Sequence, residues 1–284
     1  MIPISVVMPA YNAENTIKDA IDSVLNQSFT DFEFIIVDDG STDNTVSIIN
    51  SYKDSRIRLV KNEHDFINTL NTGMQAAKGK YIARMDADDM MYIDRLRIQY
   101  AIMEEDSQIT VCSSWMTPFG EDIPKGIVSR SVSGFVEHPL LRLLQSNIIF
   151  HPTALLRTDF MEQKGLKYEK DYIYAEDFKL WVEVAKRGGV FYVETQSLLY
   201  YRVSTEQISE TRKEEQEKIA IKIKKESIAY LIELNKDNYP SLFEIEASMQ
   251  KARKEELLES KDICDLFYTL FMKNKNILNT GINN

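Results

Sequence analysis

Hydrophobic positions in this chain switch repeatedly between two periods. Residues 2–8 are a mostly apolar run closed by Pro9, the pattern of a buried strand, and residues 32–37 and 57–60 repeat it. A fourth run holds Tyr81, Ile82, Ala83 and Met85. Between the runs, apolar residues recur at helical spacing: Ile17, Ala20, Ile21, Val24 and Leu25, then Val46, Ile49 and Tyr52, then Ile67, Leu70, Met74 and Ala77 before Gly79. Asn12 and Ser41 stand where helix caps are expected. Such an alternating series predicts an α/β fold, a mainly parallel sheet flanked by helices.

The strand ends carry the chemistry. Three runs stop in polar or acidic turns: Pro9-Ala10-Tyr11-Asn12, Asp38-Asp39-Gly40 and Asp86-Ala87-Asp88-Asp89. Strand C-termini in such a sheet share one edge, where ligands bind, so the three turns are expected side by side. Residues two apart in an extended chain face the same way, which lets Asp86 and Asp88 converge on one object. Two hard oxygen ligands suit Mg²⁺ or Mn²⁺. An acidic turn that merely caps the next helix is the plainer alternative.

Further along, Ile93, Leu96, Tyr100 and Met103 mark a helix, and residues 109–114 a strand. Residues 116–135, with Pro118, Gly120, Pro124, Gly126 and Gly134, read as a loop or mobile flap. A strand is expected over 148–157, including His151 and Pro152. Phe178, Val182 and Ala185 define a helix opened by Ala175-Glu176-Asp177 and closed by Gly188-Gly189, before two short strands near 190–194 and 198–203. Beyond about residue 206, Glu, Lys and Ile dominate, and residues 212–234 read as one long helix with a broad apolar face. This divides the chain into a domain over 1–205 and a helical extension over 206–284. The extension could pack on the domain or on a second copy. A peripheral membrane contact is also open, since Lys213, Lys218, Lys222, Lys224 and Lys225 interleave with isoleucines, although Glu214, Glu215, Glu217 and Glu226 dilute that charge.

Composition narrows the partners. The net charge of −10 over 284 residues disfavours nucleic acid, and an acidic chain that handles phosphates needs a cation to offset repulsion. Two distant cysteines, Cys112 and Cys264, read as buried thiols of a reducing compartment. With no signal-peptide pattern and no apolar stretch near the ~20 residues of a membrane span, the expected location is cytoplasmic, either free or at the inner face of the membrane.

Taken together, Val-Val-Met-Pro-Ala-Tyr-Asn at 6–12, Val-Asp-Asp-Gly-Ser-Thr-Asp at 37–43 and Arg-Met-Asp-Ala-Asp-Asp at 84–89 resemble the family 2 glycosyltransferases of GT-A fold. Asn71-Thr72-Gly73, Ala77-Lys78-Gly79, and Glu176-Asp177 with Trp181 behind them add to the likeness, which covers residues 1 to about 203. The resemblance implies inverting, metal-dependent transfer of a sugar from a nucleoside diphosphate sugar, with UDP favoured, to a glycan or lipid-linked hydroxyl in polysaccharide assembly. It implies that Pro9, Ala10 and Tyr11 hold the base, that Asp39 accepts its ring N–H, and that Asn71 lies near it. Asp86 is implied at the ribose or metal shell, Asp88 on the metal, and Asp177 as catalytic base. Glu176, His151, Arg84 and Arg202 are candidates for acceptor or phosphate contacts. Ser204 stands where the family often has a histidine, which leaves the third protein ligand of the metal open.

Structural readings stand beside these: Tyr11 as a half-buried aromatic, Asp39 as a turn former, Asn71 as a helix-face polar residue, Glu176 and Asp177 as first-turn acids. A processive synthase is disfavoured by the missing spans and the absence of a Gln-x-x-Arg-Trp stretch. A sugar-phosphate nucleotidyltransferase, which should carry a Gly-rich, Arg-containing loop after the first strand, and a non-catalytic nucleotide-sugar-binding protein remain as alternatives.

Overall fold

The computed structural model describes residues 2–120, 126–204 and 211–274. Its first half follows the alternation in the sequence: β1 (Ile4–Ala10), α1 (Ile17–Leu25), β2 (Phe32–Asp38), α2 (Thr45–Ser51), β3 (Ile57–Lys61), α3 (Phe66–Ala76) and β4 (Tyr81–Arg84). Every residue of β1 is buried, because the strand lies mid-sheet with both faces covered. Then come β5 (Met90–Met91), α4 (Arg95–Glu105), β6 (Ile109–Phe119), β7 (Gly134–Phe135), α5 (Pro139–Gln145), β8 (Leu155–Arg157), α6 (Thr158–Gln163), α7 (Glu176–Lys186) and β9 (Val190–Arg202). Among the described residues the sheet runs β3-β2-β1-β4-β8-β6-β9-β5, with β7 on β9. The β3-β2-β1-β4 half is parallel, β6 and β9 are parallel, and β8, β5 and β7 enter antiparallel. Gly79 is demanded by a close approach: a Cβ there would lie 2.4 Å from the backbone nitrogen of Ser5.

The chain forms two compact units. One comprises Met1–Val136, Ile149–Lys170 and Gly189–Gln207 and contains the whole sheet; the other comprises Glu137–Ile148, Asp171–Gly188 and Ile208–Asn284. The second unit is helical: α5 and α7 join α8 (Lys213–Leu234), α9 (Ser241–Lys254) and α10 (Ser260–Lys273). Its core is built from Leu140, Leu144, Trp181, Leu231, Phe267 and Phe271, all buried. A capping box between Glu259 and Asp262 opens α10. Residues 137–148 and 171–188 thus group with the C-terminal helices, although they precede the expected boundary at 205–206. No helix among the described residues is long and apolar enough to cross a membrane.

Five local expectations are corrected. Helix α1 starts at Ile17 rather than beside Asn12, whose side chain instead accepts the Thr42 N–H at 2.8 Å while its own N–H donates to the Ser41 hydroxyl at 3.0 Å. Helix α2 starts at Thr45, where Asp43 rather than Ser41 accepts the first free N–H, at 2.9 Å. Both intended caps are taken up in binding one strand-end turn to the other. Residues 151–153 form a 3-10 turn, not a strand, because the Thr153 hydroxyl accepts the Ser114 N–H at 3.1 Å and replaces the ladder there. The expected loop at 116–135 is partly sheet: β6 continues to Phe119 beside β9, and β7 occupies Gly134–Phe135, while 121–125 lie outside the described residues. The two strands expected over 190–203 are one, β9.

Candidate active site

Strand register brings the three turns together on one edge of the first unit. Ala10 pairs with Asp38 and Val7 with Arg84 across neighbouring parallel strands, and the Asp39 N–H continues the ladder onto the Ala10 carbonyl at 2.8 Å. Pro9 and Ala10 are buried strand residues that contribute backbone to this edge, whereas Tyr11 projects with 47% of its surface exposed.

Beyond β4, one carboxylate oxygen from each of Asp86, Asp88 and Asp89 lies within 4.8 Å of the others. Buried Arg84 forms an ion pair with Asp86, which accounts for its charge without a ligand. Arg202, at the end of β9, donates its backbone N–H to Asp89 Oδ1 at 2.9 Å and its Nε–H to the Asp88 carbonyl at 2.8 Å, so it positions the turn. Buried Arg95 donates to the Arg84 carbonyl at 2.8 Å, and burial draws its pKa down to about 9. Burial, reinforced by Asp86, pushes Asp88 up to about 6. Asp89 is pushed well above the carboxylate range by burial and then by both acidic neighbours. Its Oδ2 is buried and has no hydrogen-bond partner. Converging hard oxygens with one buried oxygen unsatisfied fit a divalent cation such as Mg²⁺ or Mn²⁺.

The second turn builds a smaller cradle. Asp39 is buried; its Oδ1 accepts the Asp65 N–H at 2.8 Å and the Thr69 hydroxyl at 2.6 Å, while Oδ2 faces His64 Nδ1 at 3.1 Å. The His64 ring stacks on Tyr11 with centroids 4.2 Å apart. Gly40 supplies the left-handed turn after Asp39, at φ +78°. Asn71 is fastened elsewhere: its amide donates to the Tyr168 carbonyl and accepts the Tyr168 N–H, both at 2.9 Å, a clamp that holds α3 to the chain before α7. His151 bonds the Tyr168 hydroxyl at 2.7 Å, and burial, helped by Arg84, keeps it well below the usual histidine pKa and hence neutral.

Asp177 and Glu176 belong to the helical unit, in the first turn of α7. Asp177 Oδ2 accepts from the Asn147 amide at 3.0 Å, and Glu176 is buried. The lead-in is unusual: Tyr174 adopts φ +76°, a conformation costly for a bulky residue, and its carbonyl accepts from Gln216 of α8 at 2.8 Å. Helix α8 thereby braces the segment that presents Asp177. His64, Thr69, Arg95 and Asn147 were not among the residues singled out from sequence. None lies in a recognisable motif, and their roles depend on partners distant in the chain.

A model of the family described as "Glycosyl transferase family 2" matches residues 5–164, and the chain belongs to that family. It is a glycosyltransferase. An uncharacterized glycosyltransferase of Haemophilus influenzae is 36% identical over 259 residues, spanning 85% of this chain and 80% of its own length. An Escherichia coli relative, the UDP-Glc:alpha-D-GlcNAc-diphosphoundecaprenol beta-1,3-glucosyltransferase WfaP, is 30% identical over 213 residues, 72% of this chain and 79% of that one. The fold is shared with S. aureus TarS 1-349 in complex with UDP-GlcNAc, at a TM-score of 0.66 and 20% identity, covering 81% of this chain and 66% of that one.

Proposed function

We propose that the protein performs an inverting transfer of a sugar from a UDP-sugar to a hydroxyl of a glycan or lipid-linked acceptor. One observation carries this reading: a single sheet edge joins a carboxylate-and-aromatic cradle, Asp39 with Tyr11, to the Asp86, Asp88 and Asp89 cluster. Tyr11 offers a face to the base, and Asp39, an acceptor, suits the ring N–H of uracil. The E. coli relative's use of UDP-Glc and a diphosphoundecaprenol-linked acceptor supports the donor and acceptor classes. Asp88 and Asp86, with Asp89 behind them, would hold Mn²⁺ or Mg²⁺, whose positive charge offsets that of the diphosphate.

Asp177 takes the proton of the acceptor hydroxyl as that oxygen forms its bond to the anomeric carbon. The bond from that carbon to the diphosphate oxygen breaks on the opposite face, which inverts the centre. Asn147 fixes the carboxylate through its hydrogen bond, and Arg202 fixes the acidic turn. Membership of the family removes the nucleotidyltransferase alternative. Asp177→Asn tests the base: transfer should fall by about 10²–10⁴-fold while UDP affinity stays unchanged. Full activity in that variant would refute the base assignment.

A further inference from the structure

We propose that His64 is an internal stand-in for the donor's base, occupying the base subsite and leaving it when the nucleotide seats. The inference rests on the assignment of Tyr11 and Asp39 to the base. His64 Nδ1 lies 3.1 Å from both the Asp39 carbonyl and Asp39 Oδ2. Both atoms are acceptors, so Nδ1 carries the hydrogen. The same ring stacks on Tyr11 at 4.2 Å with planes 25° apart. A flat ring that donates N–H to Asp39 while lying on Tyr11 makes the two contacts expected of uracil. Asp39 Oδ1 is already bonded to Asp65 and Thr69, which leaves Oδ2, 3.1 Å from His64 Nδ1, as the carboxylate oxygen the base would reach once the ring has left. Nor can the base slide between Tyr11 and His64, since that would need roughly twice the present separation.

The surroundings let the side chain move while its backbone stays. Asp65, the next residue, is tied by its N–H to Asp39, and its carboxylate accepts the Asn68 N–H at 3.0 Å as the cap of α3. The His64 side chain is 62% exposed, so rotation carries it into water without opening the core. Releasing it forfeits one hydrogen bond and one stack, which the arriving base replaces. The occupied subsite therefore keeps Asp39 satisfied between turnovers and imposes a competition on every donor.

The test is titration of the wild type and His64→Ala with UDP in the presence of Mn²⁺. Removing the competitor should tighten UDP binding about three- to tenfold, the equivalent of a net hydrogen bond with its stack. In parallel, the ring C–H signals of the three histidines are followed by NMR, with His64 assigned from the variant. On saturation the His64 signal should lose the shielding of Tyr11 and move to its solvent-exposed position. Equal or weaker binding by His64→Ala, or a His64 ring that stays shielded with UDP bound, would overturn the proposal. If the wild type ignores UDP but binds GDP, CDP or ADP, the uracil assignment fails, and displacement is scored with that nucleotide. If it binds none of them, the base-site reading falls and this proposal with it.

Discussion

Two clusters of buried charge, one in each unit, resolve the same problem in opposite ways. In the helical unit, burial alone would raise Glu183, but Arg187, Lys186 and Lys179 outweigh it and hold the carboxyl at about 2. Lys179 in turn is raised, against its own burial, by Glu183 and Glu226. At the sheet edge, burial wins: Asp88 reaches about 6 and Asp89 goes higher, because Arg84 and Arg202 only partly offset burial and the repulsion from neighbouring acids. Removing charge from water is costly unless partners compensate. The first cluster is complete as it stands and holds helices together. In the second, burial and mutual repulsion disfavour the ionised carboxylates, and the proposed divalent cation would offset both. The direction of the carboxylate shifts thus separates an ion-pair network that serves the fold from an acidic cluster that fits the proposed cation.

Neutralising one member of each cluster should therefore have opposite consequences. Within these two clusters Asp88→Asn should have the largest effect on activity, about 10²–10³-fold lower sugar transfer, since it removes electrostatic support for the departing diphosphate. Its thermal midpoint without metal should stay equal or rise, because a like-charge repulsion has been relieved. Transfer assays and melting curves on one preparation check both halves. A variant that is inactive because it is unfolded would remove the contrast.

The parallel half of the sheet was legible because each apolar run is short and ends in residues that cannot continue a strand. Asp39 and Asp86 could be grouped from that pattern alone, since parallel strands deliver their ends to one edge. Helix starts were less legible: Asn12 and Ser41 are good caps by type, but each found a partner in the other turn. Thr153 misled in the same way, its hydroxyl taking the place of a ladder partner on β6. His64 could not be found, since its meaning lies in Tyr11 and Asp39, brought to it by β1 and β2. The grouping of α5 and α7 with the C-terminal helices was hidden too: Asn147 meets Asp177 only through the folding of the helical unit.

Glu183→Gln should show the reverse of the Asp88 result. Its pKa lies below the ordinary 4.5, so the folded state favours the carboxylate, and the stabilisation is full above pH 4.5 and lost as pH falls towards 2. The variant should lose about 3 kcal/mol at pH 7, read from urea unfolding. The gap from wild type should close between pH 4.5 and 2. A constant gap across that range would mean that packing, not charge, accounts for the loss.

The smallest effect sharpens the comparison most. Mn²⁺ at tenfold above its dissociation constant should stabilise the wild type by about 1.4 kcal/mol, through binding to the folded state alone. The shift should vanish in Asp88→Asn and persist in Glu183→Gln. Its pH dependence follows from Asp88: the ligand must be deprotonated, so stabilisation is full near pH 8 and fades as pH drops through about 6. Without metal the slope reverses. With the folded pKa of Asp88 above its ordinary 3.8, stability from this group declines as pH rises from about 4 through 6. Calorimetric melts at pH 5 and 8, with and without Mn²⁺, separate the two signs. Equal metal shifts at both pH values would mean that the cation is held by groups other than the acids at the end of β4.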